Sequence, residues 1–393
     1  MHPRTRAGRR RIAALLPLVA LLAAAGCGGA TVNAGGSSSS SSTAATVGGS
    51  TGAGAATGSS TAAGAATAGT TPGTATASGT AAGSGGSAAA SPTASTGSGG
   101  AGSASMLPVT GSCAPFALAM NDWVGYTADA AVLTYVAEKN LNCKVNQKAL
   151  KEEIAWQGFS SGQVDVILEN WGHADLVAKY IDQQKVAEDA GPTGNLGQIG
   201  WYVPPWLAKK YPDITDYKNL NKYADMFKTS ESGGQGQLLD GDPSFVTNDE
   251  ALVKNLKLNY KVVYAGSEAA LIQAFRNAEQ NKTPVIGYFY SPQWFLSEVP
   301  LVKVALPPYT DGCDSDPATI ACDYPDYTLN KIISKRFADS GSAAVNLVRN
   351  FRWTNADQDL VARYITADKM SPEDAAAKWV QANPDKVAAW LGK

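Results

Sequence analysis

The sequence predicts an α/β protein of two lobes, and three observations lead there. In a chain of 393 residues no Asp, Glu, Lys or Arg occurs between Arg11 and Asp122, so roughly the first quarter lies outside the folded part. About 280 residues remain from Cys113, enough for a sizeable core and near the length at which single cores split in two. After Cys113, short apolar runs alternate with amphipathic segments of helix length.

The chain opens with Arg4, Arg6, Arg9, Arg10 and Arg11, an apolar run from Ile12 to Ala25, and then Gly26-Cys27. At 1.5 Å per residue this run is too short to span ~30 Å of hydrocarbon, so residues 1–27 read as a removable signal. It looks like a bacterial lipoprotein signal with Cys27 as the lipid-bearing residue; an ordinary secretory signal with an incidental cysteine is the alternative. The expected location is extracytoplasmic, held to the cell membrane by lipid alone. Residues 28–106 are almost entirely Gly, Ala, Ser and Thr, without an aromatic residue. Such a segment cannot offset the entropy of ordering its backbone, so it is expected to be a disordered tether with a root-mean-square span of ~50 Å.

In the folded region, strands are predicted at Phe116–Met120, Lys144–Leu150, Val164–Leu168, Lys261–Tyr264, Val285–Tyr290 and Leu301–Leu306. Helices are predicted at Ala128–Lys139, Ala174–Gln184, Pro205–Tyr211, Asp249–Leu256 and Glu268–Gln280. The tail from Tyr327 to Leu391 reads as consecutive helices, one of them opening at Ser371-Pro372-Glu373-Asp374 with a cap, a first-position proline and acids in the first turn. Once Cys27 is set aside, Cys113, Cys143, Cys313 and Cys322 form an even set that suits an oxidising compartment. Of three possible pairings, Cys113 with Cys143 and Cys313 with Cys322 are favoured because each closes a local loop. Zinc is the competing use, but the close two-residue spacings are missing and His173 is the only histidine outside the leader. Without the five N-terminal arginines, 27 basic residues face 34 acidic ones, a net charge of −7 that speaks against nucleic acid as a partner.

Six segments resemble, in order, the extracytoplasmic substrate-binding proteins of ABC importers for glycine betaine, proline betaine and choline. They are Asp122-Trp123-Val124-Gly125-Tyr126, Glu169-Asn170-Trp171-Gly172, Gly200-Trp201-Tyr202-Val203-Pro204, Gly241-Asp242-Pro243-Ser244, Gly266-Ser267-Glu268-Ala269-Ala270-Leu271 and Tyr288-Phe289-Tyr290-Ser291-Pro292-Gln293-Trp294. The likeness runs from about Phe116 to Trp390. It implies a two-lobed periplasmic-binding-protein-like fold (type II), with a hinge and an inter-lobe ligand cleft. Residues 107–393 would form the substrate-binding domain, with lobe 1 at about 113–193 and 296–393 and lobe 2 at about 194–295. It also implies a small quaternary-ammonium solute and an ABC permease as partners. Many relatives carry a histidine where this chain has Gln293 and a tryptophan where it has Tyr290. Loss of that histidine weakens the case for glycine betaine specifically, although glutamine still donates through its amide.

The residues themselves support an aromatic cage. Trp123, Trp171 and Trp294 sit at or just beyond the ends of candidate strands, where ligands collect in open α/β sheets. A quaternary ammonium has no N–H to donate, so ring faces must recognise it. Three or four desolvated rings supply roughly 6–8 kcal/mol, whereas a micromolar complex requires about −8 kcal/mol net. With the resemblance, the candidate cage is Trp123, Trp171, Trp201, Tyr202, Tyr290 and Trp294. A zwitterion needs its carboxylate held as well, for which the Gly241–Phe245 turn, with Asp242, the helix start at Ser267-Glu268 and Gln293 are candidates. Asp122 and Glu169 oppose a carboxylate but suit a pure cation such as choline; Glu169 could equally be a hydrogen-bond acceptor beside the hinge. Trp156, Trp206, Trp353, Trp379 and Trp390 are expected in the core, and His173 at the surface or as a cap.

Other function classes fit less well. A Ser-His-Asp hydrolase would depend on His173 alone and lacks a Gly-x-Ser-x-Gly elbow. The Gly-rich Gly233-Gly234-Gln235-Gly236 lacks the Lys-Ser/Thr of a phosphate loop. No spacing singles out a carboxylate pair for glycoside chemistry. A displayed surface protein would explain the tether but not the aromatics, and a binding protein for another small cation or an amino-acid-like solute is the nearer alternative. The expectation is a monomeric binding protein, not an enzyme, with no cofactor and no metal.

Overall fold

The computed structural model describes residues 106–393 except Val246, so the leader, Cys27 and the tether up to Ser105 lie outside the described residues. The chain enters through β1 (Phe116–Met120), whose first four residues are buried, then α1 (Val124–Leu141), β2 (Val145–Ala149), α2 (Glu152–Ser161) and β3 (Val166–Asn170). The short α3 (Ala174–Val177) continues as a π-helical segment, Ala178–Gln183, and leads into β4 (Ala187–Val203), 17 residues long. Next come α4 (Pro205–Lys210), α5 (Leu220–Tyr223), β5 (Gly236–Asp240), α6 (Asp249–Asn255), β6 (Tyr260–Tyr264), α7 (Glu268–Asn281) and β7 (Gly287–Ser291). After β8 (Val302–Lys303) and β9 (Asp326–Ser334) the chain ends in α8 (Lys335–Ala338), α9 (Ala343–Asn350), α10 (Asn355–Thr366), α11 (Pro372–Ala382) and α12 (Pro384–Trp390).

The strands form one sheet in the order β2-β1-β3-β9-β4-β7-β5-β6, with β8 beside β4. β2, β1 and β3 are parallel at one end, and β6, β5 and β7 are parallel at the other. The antiparallel pair β9 and β4 joins the two ends. Parallel strands need helical crossovers, which α1, α2, α6 and α7 provide.

Several elements differ from the sequence expectation. β4 was unforeseen because its Gly, Pro and Asn residues read as a loop. Its pairing with β9 tolerates them through register shifts on both sides of Pro192, where irregular backbone is absorbed as bulges. The tail starts as β9 rather than a helix, since Asp326–Ser334 is paired on both sides, by β3 and β4. Of the strand expected at 301–306, Val302–Lys303 forms β8 and Ala305 makes an isolated bridge to Asp216; β5 was not foreseen. α11 does open at Pro372, with Ser371 Oγ accepting from the Asp374 amide.

Trp156, Trp353, Trp379 and Trp390 are buried, and Trp379 stacks on Trp390 with centroids 5.5 Å apart. Disulfides join Cys113 to Cys143 and Cys313 to Cys322. Among the described residues no helix is long and apolar enough to cross a membrane, and no group of three His, Cys, Asp or Glu side chains could hold a metal ion.

Candidate ligand-binding site

A cavity partly open to solvent gathers side chains from both ends of the sheet. Trp123 precedes α1, Glu152 opens α2, Trp171 follows β3 and Tyr327 lies on β9. Ile199 comes from β4, Phe245 from the turn after β5, and Tyr288 and Tyr290 from β7. Six of the eight lining residues are therefore aromatic, a wall suited to a soft cation.

One carboxylate fixes two of the rings. Glu169, at 1% exposure, accepts the indole N–H of Trp123 at 2.7 Å and that of Trp171 at 2.8 Å on the same oxygen. Its other oxygen accepts from Gln358 Nε2 at 2.5 Å, and Asn195 Nδ2 in turn donates to Gln358 Oε1 at 2.6 Å. Burial, and after it the neighbouring charge of Glu169, push the Asp129 carboxyl well above its usual range. Trp171 meets Tyr290 edge to face at 5.7 Å, and Trp123 meets Phe245 likewise at 5.9 Å. Two glycines make room: a Cβ on Gly197 would come within 2.6 Å of the Trp171 ring, and one on Gly172, at φ +85°, within 2.5 Å of Tyr327.

Tyr290 is fixed from behind. Its hydroxyl donates to Glu268 Oε1, which also accepts from Gln293 Nε2 at 2.8 Å, while Oε2 accepts the Val124 backbone N–H at the start of α1 at 2.9 Å. Burial and the Glu268 charge raise the Tyr290 phenol well above its usual value, which keeps it protonated as the donor. Burial also raises Glu268, against the lowering effect of Tyr290, Gln293 and the Val124 amide. Glu152 Oε1 lies 2.8 Å from Nε2 of His173, and both side chains are buried. Burial alone would lower the imidazole pKa, but Glu152, with Asp175 and Glu153 adding their charges, holds it above its usual value.

Of the sequence candidates, the structure brings Trp123, Trp171 and Tyr290 to the cavity wall, with Glu169 directly behind. It does not bring Trp201, Tyr202 or Trp294 there. Trp201 pairs with Tyr288 across β4 and β7 but lies fully buried beyond the cavity, its indole N–H donating to Asp249 at 2.8 Å. Tyr202, one residue on, points to the opposite face by the pleat and packs on Phe289. Trp294 follows β7 in a 3-10 turn, with the Arg276 guanidinium 5.9 Å from its ring.

The polar candidates are committed elsewhere. Asp122 is exposed and paired with Lys151 at 2.8 Å. Asp242 accepts from Ser244 and from Lys151, and Gln293 caps its own 3-10 turn through the Phe295 N–H at 2.7 Å. The Gly241, Ser244 and Phe245 amides donate within their own turn and the Ala270 amide to Ser267, so these groups do not wait for a ligand carboxylate. His173 is no surface residue: it stands at the N-cap position of α3 without a side-chain capping bond and is the buried partner of Glu152. Sequence reasoning missed Tyr288, Phe245, Tyr327, Ile199 and Glu152. Tyr288 was signalled by period-2 spacing from Tyr290, and Phe245 by its place right after Gly241-Asp242-Pro243-Ser244; Tyr327 was hidden by the helical reading of the tail.

The sequence profile of one family, described as the substrate binding domain of the ABC-type glycine betaine transport system, matches residues 115–382. The chain is 25% identical over 279 residues to a trimethylamine N-oxide-binding protein of Pelagibacter ubique, a match covering 68% of this chain and 88% of that one. Among solved structures it is similar to an ABC-transporter choline binding protein in complex with choline, with TM-score 0.58, 18% identity and coverage of 70% and 91%. It is likewise similar to lactococcal OpuAC in a closed-liganded conformation with glycine betaine, with TM-score 0.56, 21% identity and coverage of 70% and 99%. The fold is thereby an α/β fold of the periplasmic-binding-protein kind.

Proposed function

The chain belongs to the family of substrate-binding domains of ABC-type glycine betaine transport systems, and on that premise we propose that it captures a quaternary-ammonium solute and delivers it to a membrane permease. The observation that carries this reading is the wall of six aromatic residues around one cavity, two of them locked through their indole N–H groups to Glu169. The rings that hold the ammonium are Trp123, Trp171, Phe245, Tyr288, Tyr290 and Tyr327. Glu169, Glu268 and Gln293 position them. The relatives named above bind trimethylamine N-oxide, choline and glycine betaine, which share a methylated nitrogen and differ in what it carries.

We further infer that residues 107–393 are the binding domain and that its two lobes, about 113–193 with 296–393 and about 194–295, close on the ligand. The cavity takes four lining residues from each range, so a ligand touching both stabilises the closed state selectively. The Glu268 bond to the Val124 amide and the 3.2 Å ion pair of Lys151 with Asp242 join the same two ranges. Titration calorimetry against choline, glycine betaine, carnitine and trimethylamine N-oxide tests the reading. Saturable micromolar heat with at least one ligand is expected, and silence from a folded sample with all four would refute it.

The two disulfides fit an extracytoplasmic location. Residues 1–27 act as the lipoprotein signal and 28–106 as the tether, with Cys27 as the lipidated residue. Cys27→Ser is accordingly expected to shift the protein from the membrane fraction to the soluble fraction in cell fractionation. Retention of the variant in the membrane would remove the lipid anchor from the account.

A further inference from the structure

Glu152 is the one lining residue of the cavity that carries a carboxylate, and none of the eight carries a cationic side chain. It is the first residue of α2, where the helix N-terminus favours a negative charge. Among the described residues its only ion-pair partner is His173, 2.8 Å away and 9% exposed, at the start of α3. The neighbouring Lys151 is engaged with Asp122 and Asp242 instead. The groups whose charges reach His173 are Glu152 and Glu153 from α2 and Asp175 from α3. The Tyr126 and Tyr288 phenols also feel Glu152, and both stay protonated because burial raises them well above their usual values.

The pair therefore has two states that differ by a full charge at the cavity wall. With the imidazole protonated, the Glu152 charge is compensated, so Glu152 neither attracts a cation nor repels a ligand's carboxylate strongly. With the imidazole neutral, the carboxylate is unopposed; it attracts a bare cation and repels a ligand's own carboxylate.

We propose that Glu152 is a specificity-determining residue of the cavity and that His173 is its counter-ion, so that the pair sets the preference for a carboxylate-free ammonium such as choline over a zwitterion such as glycine betaine. This rests on the quaternary-ammonium reading of the cavity. Glu152 acts on the ligand directly, whereas His173 acts through Glu152 as a positioning residue. The sign follows from the chemistry: raising pH neutralises His173, unmasks Glu152 and favours choline. Because Glu152 holds the imidazole above its ordinary value of about 6.5, the change falls above that pH.

The test is calorimetric titration of the full protein with choline and with glycine betaine between about pH 5.5 and 9, a window that brackets the imidazole, for wild type, Glu152→Gln and His173→Gln. In the wild type the choline-to-betaine affinity ratio is expected to rise about tenfold across the range, as expected for a full charge beside the ligand in a partly buried site. His173→Gln should hold the high ratio at every pH. Glu152→Gln should lower the ratio about tenfold and flatten its pH profile. A ratio unmoved by Glu152→Gln, or a wild-type pH profile retained in His173→Gln, overturns this inference while leaving the receptor reading intact. Wild-type protein that binds neither ligand at any pH overturns both.

Discussion

Trp171→Ala is expected to weaken binding of the preferred quaternary ammonium by at least about 30-fold while leaving the domain folded. One desolvated cation–π contact is worth about 2 kcal/mol, which is about 30-fold in affinity. Trp171 also supports other parts of the wall, since Tyr290 and Tyr327 both rest against its ring and Glu169 would lose one of two indole donors. The half-buried position of Trp171 on the segment after β3 limits the structural cost. Calorimetry reports the affinity and circular dichroism with a thermal melt reports the fold. Trp171→Phe should recover part of the loss because a ring face remains. Wild-type affinity in Trp171→Ala would remove this residue from the binding wall.

Trp201→Ala is expected to do the reverse: unfold the domain at lower denaturant while the folded fraction binds normally. The side chain is fully buried, and truncating a buried tryptophan costs about 3–5 kcal/mol through lost burial and the cavity left behind. The substitution also removes a donor from Asp249, whose carboxyl is already raised well above its usual range by burial and by the charge of Asp240. Tyr324 would remain as the other donor, at 2.6 Å. Denaturant titration gives the stability, and binding measured well below the unfolding midpoint gives the affinity. A stable variant with lost affinity would place Trp201 in contact with the ligand after all.

Trp171 and Trp201 show what the sequence could and could not convey. Both stand in aromatic motifs and both give their indole N–H to a buried carboxylate, yet one lines the cavity and the other lies behind it. The alternation of a strand fixes which residues share a face, so Tyr202 could be set aside once β4 was known. Alternation does not say how far along that face the cavity extends; the packing around Asp249 and Tyr324 decides that. Local signals were legible where they are strong, as in β1 and in α7 with its Ser267 cap. They failed for β4 and β9, whose pairing is non-local and overrides unfavourable composition. Glu152 and His173 lie in separate elements with no shared motif, so only folding reveals them as a pair.

The Cys113–Cys143 bridge bears on how the domain carries load. Cys113 stands just before β1 and Cys143 just before β2, and these strands are in parallel register from Phe116 opposite Val145. Any pull on the chain ahead of Cys113 passes through the sulfur bridge to Cys143, so the segment between them cannot be drawn out while the bridge is intact. That segment holds β1, α1 and Trp123. Stretched from its N-terminus in a single-molecule experiment, the oxidised protein should show a contour length shorter by the span of that loop, and reduction should restore the missing length.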